Sequence, residues 1–469
     1  MKTKYDAIVV GAGPAGLACS AELTAKGLDV ALVDEQSSPG GQIYRNITRA
    51  TVNRHNILGS DYSEGLQVVK EFTEGGGTYL PRTRVWQAEA TGDVYFSRDG
   101  YSGALHGEYI VLTTGAMERP VPFPGWTLPG VMTCGGMSNL FKDSGLVPKQ
   151  PVVICGSGPL VWLVAEHLLA LDAPITAILD TTPISQITAA MKHVGGALKR
   201  FDYMMKGIKM IAGVEAKARK KKVPLHRNIS HLEAIGTDRV ERVSCKKGAR
   251  TLSFEASTLL VSEGIIPNTS LLRQVGVKHT WNPVQRFWHP DVTLEGRTNL
   301  DSVFVAGDGS FVHGAKSAEY KGRLTGLTIA RELHRLSDQQ FAEQSAPVKE
   351  KLKRELLPRP FIDALYAPAK KLYALADDTI VCRCESITAG RIREFIAEGY
   401  VDHNEIKAII RCGMGPCQGR MCSSAVFELI AEGSGLAPET IRQHRLRPPI
   451  KPVSLQELAN AKVGENDES

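Results

Sequence analysis

The sequence predicts an α/β protein with two Rossmann-like units, followed by a small cysteine-rich domain. Three observations support this fold class. A glycine-rich turn at residues 11–16 lies between an apolar run and a segment with helical spacing, and a related plan returns at residues 152–180. Five of the nine cysteines fall between residues 382 and 422. The 45 glycines in 469 residues often follow apolar runs, as they do in nucleotide-binding α/β proteins.

Length and composition exclude several classes of protein. A chain of 469 residues predicts about two to four domains, and 43% hydrophobic residues, 23% charged residues and a net charge of +6 are typical of a globular protein. The longest apolar runs fall short of the roughly 18–20 residues of a membrane span, and the N-terminus lacks a secretory cleavage pattern. We therefore expect a cytoplasmic protein without a transmembrane segment. The basic run at residues 217–222 lacks aromatic or motif support, so we expect no nucleic-acid partner.

The first predicted element pair is a strand at residues 6–10 and a helix that ends near Gly27. Between them, Gly11 permits a tight turn, Gly13 lets the backbone approach a pyrophosphate, and Gly16 allows close packing of the helix. The next strand, at residues 29–33, is closed by an acidic residue that suits the ribose hydroxyls. The predicted dinucleotide site therefore contains Gly11, Gly13, Pro14, Ala15, Gly16, Asp34 and Glu35.

The second unit, residues 152–180, repeats the order of strand, turn, helix, strand and acid, which here is Asp180. The position of its third glycine is taken by Val161, which is bulky for close packing of helix and strand. The pattern leaves two interpretations open: a working nucleotide site, or a structural unit without one.

A third glycine-bearing turn follows a predicted strand at residues 303–306. Gly307 and Asp308 end the strand, and Gly314 and Ala315 begin a helix whose N–H groups suit a phosphate or a flavin edge. Residues 1–335 resemble the two-dinucleotide-domain flavoproteins of the glutathione-reductase type. The resemblance implies that Asp308 holds the ribityl chain of FAD. Thr114 and Gly115 match the crossing between the two domains in this superfamily, and Gly264, Pro267 and Asn268 match the return crossing.

Four cysteines lie apart from one another in the sequence: Cys19, Cys134, Cys155 and Cys245. Disulfide-reducing members of the superfamily carry a redox cysteine pair near the flavin. The isolated positions therefore predict a protein that performs no dithiol exchange.

The remaining five cysteines are Cys382, Cys384, Cys412, Cys417 and Cys422. A [2Fe–2S] centre needs four thiolate ligands, so five candidates compete for four positions. A Cys₄ zinc site is the alternative, but zinc sites usually show two CxxC knuckles and this chain has none. A flavin in the same chain also gives a redox cluster an electron donor. The pattern therefore favours iron–sulfur.

The segments CRCESITAGRI and RCGMGPCQGRMC resemble the [2Fe–2S] domain of the bacterioferritin-associated ferredoxin (BFD) type. With PGGQIYR and GSGPLVWLVAE, the whole chain resembles the alpha subunits of heteromeric amino-acid dehydrogenases. That family includes the A-type subunits of opine oxidase, the B-type subunits of hydrogen cyanide synthase and the alpha subunits of hydroxyproline dehydrogenase. The resemblance adds Gly41 and Gln42 to the flavin site. It implies that Cys412 is a spare thiol and that the cluster ligands are Cys382, Cys384, Cys417 and Cys422.

The resemblance also implies a division of labour. In this family a flavoprotein similar to glycine oxidase and DadA serves as the beta subunit, which oxidises the C–N bond, and the alpha chain relays electrons to an acceptor such as a quinone. Related complexes can contain a small third subunit, can carry an FMN where the subunits meet, and can associate with the inner face of the membrane. This sequence shows no carboxylate clamp or catalytic base, so we assign no catalytic residue and interpret His289, His313 and Glu319 as structural.

The alternatives are glycine oxidation as in hydrogen cyanide synthase, a self-sufficient NADH-dependent reductase, and a scaffold with vestigial sites. Because the departure at Val161 belongs to the family, NAD is a doubtful cofactor. The expected domains are an FAD-binding domain (1–120 and 261–335), a second Rossmann domain (121–260), a linker (336–376), a BFD-like domain (377–440) and a tail (441–469).

Overall fold

The computed structural model of the protein describes residues 2–369 and 374–461. Its strands are β1 (Lys4–Val10), β2 (Val30–Val33), β3 (Thr78–Leu80), β4 (Arg84–Ala88), β5 (Asp93–Arg98), β6 (Tyr101–Leu112), β7 (Ala116–Glu118), β8 (Val131–Thr133), β9 (Val152–Ser157), β10 (Ile175–Asp180), β11 (Leu225–Arg227), β12 (Ser230–Ile235), β13 (Arg242–Lys247), β14 (Arg250–Glu255), β15 (Thr258–Glu263), β16 (Ile265–Pro267), β17 (His279–Asn282), β18 (Phe287–Pro290), β19 (Val303–Val305), β20 (Ile380–Cys382) and β21 (Ile387–Thr388).

The helices are α1 (Pro14–Ala25), α2 (Val52–Leu58), α3 (Ser60–Ser63), α4 (Gly65–Glu74), α5 (Cys134–Ser144), α6 (Pro159–Ala170), α7 (Ile184–Met191), α8 (Val194–Leu198), α9 (Phe201–Lys220), α10 (Ser270–Val275), α11 (Ala315–Glu332), α12 (Asp338–Leu356), α13 (Arg359–Leu365), α14 (Ala389–Ala397), α15 (His403–Ile410), α16 (Ser423–Ser434) and α17 (Leu455–Ala459). Among the described residues, no helix combines the length and the apolar character needed to cross a membrane.

The first sheet has the order β3-β2-β1-β6-β5-β4, with β19 beside β6. Strands β1, β2, β3, β6 and β19 pair in parallel, whereas β4 and β5 form an antiparallel extension. Helices α1 and α11 pack tightly together on this sheet. Glycine at position 322 permits this approach, since a Cβ there would lie only 2.1 Å from the carbonyl oxygen of Ala15. This contact brings the turn after β1 next to the turn after β19.

The second sheet is parallel, with the order β11-β10-β9-β15-β8, and an antiparallel meander β12-β13-β14 accompanies it. Val161 is 1% exposed and belongs to the apolar core, so this position accepts a branched side chain without loss of the Rossmann fold. Strand β15 pairs with β9 along its whole length. The domain boundary that we expected at residues 260/261 therefore falls inside a strand of the second sheet.

Two long segments leave the Rossmann pair. Helix α12 begins at a capping box formed by Ser337 and Gln340, and α13 then packs against α7 and α8 of the second unit. The side-chain amide nitrogen of Gln186 in α7 donates to the carbonyl oxygen of Ala367, just after α13. Residues 370–373 of the expected linker lie outside the described residues.

The small C-terminal domain consists of the β20–β21 pair and helices α14, α15 and α16. It docks on the first domain through the β17–β18 hairpin, where the rings of Trp281 and Trp288 lie 4.9 and 6.0 Å from the ring of Phe427 in α16. The indole nitrogen of Trp126 donates to the carbonyl oxygen of Ile380 at 2.6 Å. The docking surface is therefore both apolar and hydrogen-bonded.

The chain after α16 returns to the first sheet. The amide nitrogen of Ile450 donates to the carbonyl oxygen of Trp86 at 2.9 Å, and Ile450 is buried. Further along, Glu457 in α17 forms an ion pair with Arg84 at 3.2 Å. The segment up to residue 461 thus lies on the first domain, and the rest of the expected tail is outside the described residues.

Candidate dinucleotide and thiol sites

The turn between β1 and α1 shows why its glycines are needed. Gly11 has a φ of +110°, and a Cβ there would lie 2.5 Å from the carbonyl oxygen of Thr113. A Cβ at Gly16 would lie 1.8 Å from the carbonyl oxygen of Gly11, so this glycine serves helix packing. By contrast, a Cβ at Gly13 would meet only the Cα of Gly41, at 3.9 Å. Gly13 therefore leaves space beside the turn, as a bound pyrophosphate requires.

The acidic residues after β2 have different surroundings. Asp34 is buried, and its carboxylate accepts hydrogen bonds from the amide nitrogens of Ala12 at 2.5 Å and Gln36 at 2.6 Å. Burial is the main cause of its raised pKa, and the two backbone hydrogen bonds oppose it. Glu35 is exposed and forms an ion pair with Lys451 from the C-terminal segment. The geometry thus distinguishes Asp34, which lies against the glycine turn, from Glu35, which faces the returning chain.

The turn after β19 lies beside the first turn. One carboxylate oxygen of Asp308 accepts hydrogen bonds from the amide nitrogens of His313 at 2.9 Å and Gly314 at 3.0 Å. Gly307 has a φ of +74°, and a Cβ there would lie 2.6 Å from the Cβ of Ala15. Asp308 is therefore fixed at the N-terminal end of α11, next to the turn that begins α1.

The other predicted flavin residues lie near these two turns and are linked by hydrogen bonds. The hydroxyl of Thr114 donates to the carbonyl oxygen of Asn268 at 2.8 Å, and the amide nitrogen of Asn268 donates to the carbonyl oxygen of Gly115 at 3.0 Å. The side chain of Gln42 donates to the carbonyl oxygen of Ala116 at 3.1 Å. The structure thus brings residues from five separate segments to one edge of the first sheet.

Sequence reasoning missed two lysines at this edge, of which Lys142 is buried and Lys321 is half-buried. Lys142 donates to the carbonyl oxygen of Gln42 at 3.1 Å, and Lys321 donates to the hydroxyl of Ser310 at 2.9 Å, with the Nδ1 atom of His313 at 3.0 Å. Burial lowers the pKa of each ammonium group to about 8. The available signal was helical spacing, since each lysine lies four residues after a buried serine on its own helix.

The acidic end of the second unit is covered by the chain itself. The carboxylate of Asp180 accepts a hydrogen bond from the amide nitrogen of Thr182 at 2.9 Å. The phenol of Tyr366, just after α13, interacts electrostatically with Asp180. Burial, together with the negative charge of Asp180, raises the pKa of Tyr366 to about 12. The segment just after α13 therefore lies near this acid.

Three thiols form a compact group. The Sγ atoms of Cys382, Cys412 and Cys422 lie within 4.8 Å of one another, and all three residues are buried. Hydrogen bonds from the other two thiols lower the pKa of Cys382 and so favour its thiolate form. The thiol of Cys384 contacts both the backbone and the side chain of Cys417. The structure therefore places all five candidates in two neighbouring groups, and it brings Cys412 to two of the predicted ligands.

This donor set fits a [2Fe–2S] cluster, which requires four sulfur ligands, and the glycine turn fits a dinucleotide. The other four cysteines are buried free thiols, and burial raises the pKa of each. Fold and sites together define a flavin-dependent oxidoreductase with an attached iron–sulfur domain.

Comparison with known families gives the same division. Residues 5–330 match the pyridine nucleotide-disulphide oxidoreductase family, and residues 380–432 match the BFD-like [2Fe-2S] binding domain. The chain is 39% identical to the A-type subunit of opine oxidase from Agrobacterium tumefaciens (strain Ach5), covering 97% of this chain and 92% of that protein. The corresponding opine oxidase subunit from Rhizobium meliloti is 37% identical over 97% of this chain and 87% of that protein. The chain therefore belongs to the family of the A-type subunits of opine oxidase.

More distant similarity extends over the same length. Hydrogen cyanide synthase subunit HcnB of Pseudomonas aeruginosa is 28% identical, covering 97% of this chain and 98% of that protein. The crystal structure of L-proline dehydrogenase from P. horikoshii superimposes with a TM-score of 0.71, covering 97% of this chain and 80% of that one, at 19% identity. This likeness confirms the predicted fold class for the whole chain, including the small C-terminal domain.

Proposed function

We propose that this chain is the electron-transferring subunit of a heteromeric flavin-dependent dehydrogenase that oxidises an amino acid, imino acid or opine at its C–N bond. The observation that carries the proposal is structural: the thiol groups belong to a domain packed against the flavin domain through Trp281, Trp288 and Phe427. Full-length similarity to proteins named as subunits of opine oxidase supports a partner subunit.

Each site residue has a proposed role. The turn at Gly11 and Gly13 holds the pyrophosphate of FAD, Asp34 takes the ribose hydroxyls, and Asp308 takes the ribityl chain. When bound, FAD supplies a two-electron carrier and the cluster a one-electron carrier, so together they convert hydride chemistry into single-electron transfer. The protein's own contribution is to hold both groups in one body and to bury Cys382 and Cys422, whereas Cys384 stays exposed.

For the cluster we propose the ligands Cys382, Cys384, Cys417 and Cys422. These residues form two adjacent pairs, one residue of each pair from the β20–β21 segment and the other from the glycine-rich loop before α16, which suits two irons with two protein ligands each. Cys412 is then a buried neighbour of the site.

The substrate site belongs to the proposed partner, a beta flavoprotein similar to glycine oxidase and DadA. The same proposal includes an FMN at the interface with the partner, a quinone acceptor at the inner face of the membrane and a small third subunit. Oxidation of glycine, as the name hydrogen cyanide synthase implies for a relative, is the alternative within this class.

A self-sufficient NADH-dependent reductase is the competing function, because Gly156, Gly158 and Asp180 keep most of a second dinucleotide motif. The position of Tyr366 near Asp180 opposes it, because the segment after α13 then lies close to the acid that would hold a ribose.

The test uses the purified chain with its cofactors, under anaerobic conditions. Visible and electron paramagnetic resonance spectra are recorded before and after addition of NADH, and then of dithionite. We expect flavin bands and a [2Fe–2S] signal that dithionite reduces and NADH leaves unchanged. Rapid bleaching by NADH would establish the reductase instead, and zinc without iron would remove the electron relay.

A further inference from the structure

A cavity lies at the junction of the cluster domain and the flavin domain, and one side of it reaches Asn268 of the candidate flavin site. Its walls come from α10, the β17–β18 hairpin, the start of α16 and the segment that follows residue 440. It holds about 100 Å³ of space for water-sized molecules, whereas one water needs about 10–15 Å³ on this measure. The cavity is therefore large enough for several waters or one small ion.

Two histidines in its wall have unused polar atoms. His403 is 1% exposed and His444 is 2% exposed, and their rings are stacked 5.0 Å apart. The Nε2 atom of His403 and both ring nitrogens of His444 have no hydrogen-bond partner among the described residues. Buried polar atoms are rarely left unpaired, because each costs roughly 1–3 kcal/mol, so these atoms indicate a missing partner.

The cavity also contains a cation without a counter-charge. Of its three arginines, Arg286 pairs with Glu428, and Arg420 donates to the carbonyl oxygen of Ile450 at 3.0 Å. Arg273 donates to the carbonyl oxygen of His444, and it has no carboxylate within ion-pair distance in the described part of the chain. Burial lowers the pKa of the Arg273 guanidinium to about 10. Arg273 is half-buried, and a charge that is partly removed from water is normally paired.

From these groups we infer that Arg273, His403 and His444 bind an oxyanion at the junction between the two domains. The guanidinium supplies the charge and two N–H donors, and each neutral imidazole can present one N–H. Ser423 and Ser424, the first residues of α16, also line the cavity, and the positive end of a helix dipole favours an anion. The anion is phosphate, either as the free ion or as the phosphate group of a mononucleotide, of which only the phosphate enters this space.

The proposed oxyanion site adjoins the loop between α15 and α16, which contains Cys412, Cys417 and Cys422. A Cβ at Gly419 would lie 2.8 Å from the ring of His444, and one at Gly413 would lie 3.3 Å from its Nε2 atom. Provided that the cluster is bound as proposed above, an anion here places negative charge beside it and disfavours the reduced form. Occupancy of the cavity therefore lowers the reduction potential of the cluster.

The experiment compares the wild-type holoprotein with Arg273→Met and with Arg391→Met, an exposed arginine outside the cavity. Each is purified in phosphate-free buffer, and thermal unfolding is followed against inorganic phosphate, with sodium chloride at equal ionic strength as the control. We expect phosphate to raise the melting temperature of the wild type and Arg391→Met well above the chloride effect, and to leave Arg273→Met unchanged. His403→Phe removes one N–H donor of the site and leaves the guanidinium of Arg273 in place. We expect phosphate to raise the melting temperature of this variant by less than that of the wild type.

The denatured wild type is also assayed for released phosphate. One equivalent of organic phosphate beyond that of FAD and of any FMN, which is lost in Arg273→Met, identifies a mononucleotide as the source, and inorganic phosphate identifies the free ion. A phosphate response equal in all variants, with no phosphate released, would overturn the inference. Thermal unfolding and release need no cluster, so their failure is distinct from failure of the electron-relay proposal. The shift of the cluster potential with phosphate is then measured by redox titration of the wild type, Arg273→Met and Arg391→Met.

Discussion

The two glycines of the first turn differ in what surrounds them, and this difference predicts opposite outcomes for one methyl group. In Gly16→Ala, the new Cβ would begin 1.8 Å from the carbonyl oxygen of Gly11, so helix α1 must move by more than 1 Å to reach a tolerable contact near 3.0 Å. Alanine is otherwise favoured over glycine within a helix by about 1 kcal/mol. The clash outweighs this gain, and overpacking of this kind costs about 1–3 kcal/mol.

In Gly13→Ala, the new Cβ would meet only the Cα of Gly41 at 3.9 Å, and the φ of −78° suits alanine. The apoprotein should therefore unfold at the same denaturant concentration as the wild type, because surface changes of this size shift stability by less than about 0.5 kcal/mol. The methyl group would instead occupy the space that the pyrophosphate needs. We expect an affinity loss of about 1–3 kcal/mol, which is roughly 5- to 150-fold in dissociation constant.

The assay measures urea unfolding of the apoproteins and the ratio of FAD to protein after reconstitution. Gly16→Ala should lose both stability and FAD, and Gly13→Ala should lose FAD alone. If Gly13→Ala binds FAD as tightly as the wild type, the turn does not hold the pyrophosphate. If Gly16→Ala is fully stable, the close contact with Gly11 is not a constraint on the fold.

Two further predictions concern the thiols and one buried acid. Cys417→Ala should purify without the [2Fe–2S] absorbance, because Cys384 would lose its adjacent partner. Cys412→Ala should keep the cluster. The reverse result would show that Cys412 is a ligand and Cys417 is not. Glu263 is buried, and burial raises its pKa from 4.5 to about 7. The folded state therefore binds the proton more tightly than the unfolded state does. As a result, the stability of the fold decreases as the pH rises from about 4.5 to 7. Glu263→Gln should abolish this loss of stability, which amounts to up to about 3 kcal/mol and is measured by urea unfolding at pH 5 and pH 8. The control, Glu255→Gln at an exposed position, should show the same loss as the wild type. A wild-type stability that does not depend on pH would contradict the assignment.

Local patterns were sufficient to predict which segments of the candidate flavin site lie together. The turn at Gly11, the acid at Asp34 and the turn at Asp308 follow buried strands, and the ends of parallel strands meet at one edge of a sheet. Three segments far apart in sequence could therefore be assigned to one place. The contact between Gly307 and Ala15 shows how close that meeting is.

Other features depend on contacts that no local pattern specifies. The hairpin bearing Trp281 has no motif, and its role emerges only when its indole meets Phe427 of another domain. Lysine is usually solvated, so the burial of Lys142 and the partial burial of Lys321 result from neighbours at distant positions in the sequence. The thiol of Cys412 could not be placed by spacing, since it depends on the path of the loop between α15 and α16.

The two connections of the cluster domain have a practical consequence for engineering. One connection passes through α13, which packs on the second Rossmann unit. The other runs from Ile441 in the core of the cluster domain, past α15, to the first domain, where Ile450 meets the first sheet and Lys451 meets Glu35. A domain held at both ends cannot swing between distant donors, as a singly tethered carrier can. A chimaera that exchanges this domain between relatives should therefore carry the returning segment with it, since a junction placed at residue 440 would separate the transplanted domain from its second anchor.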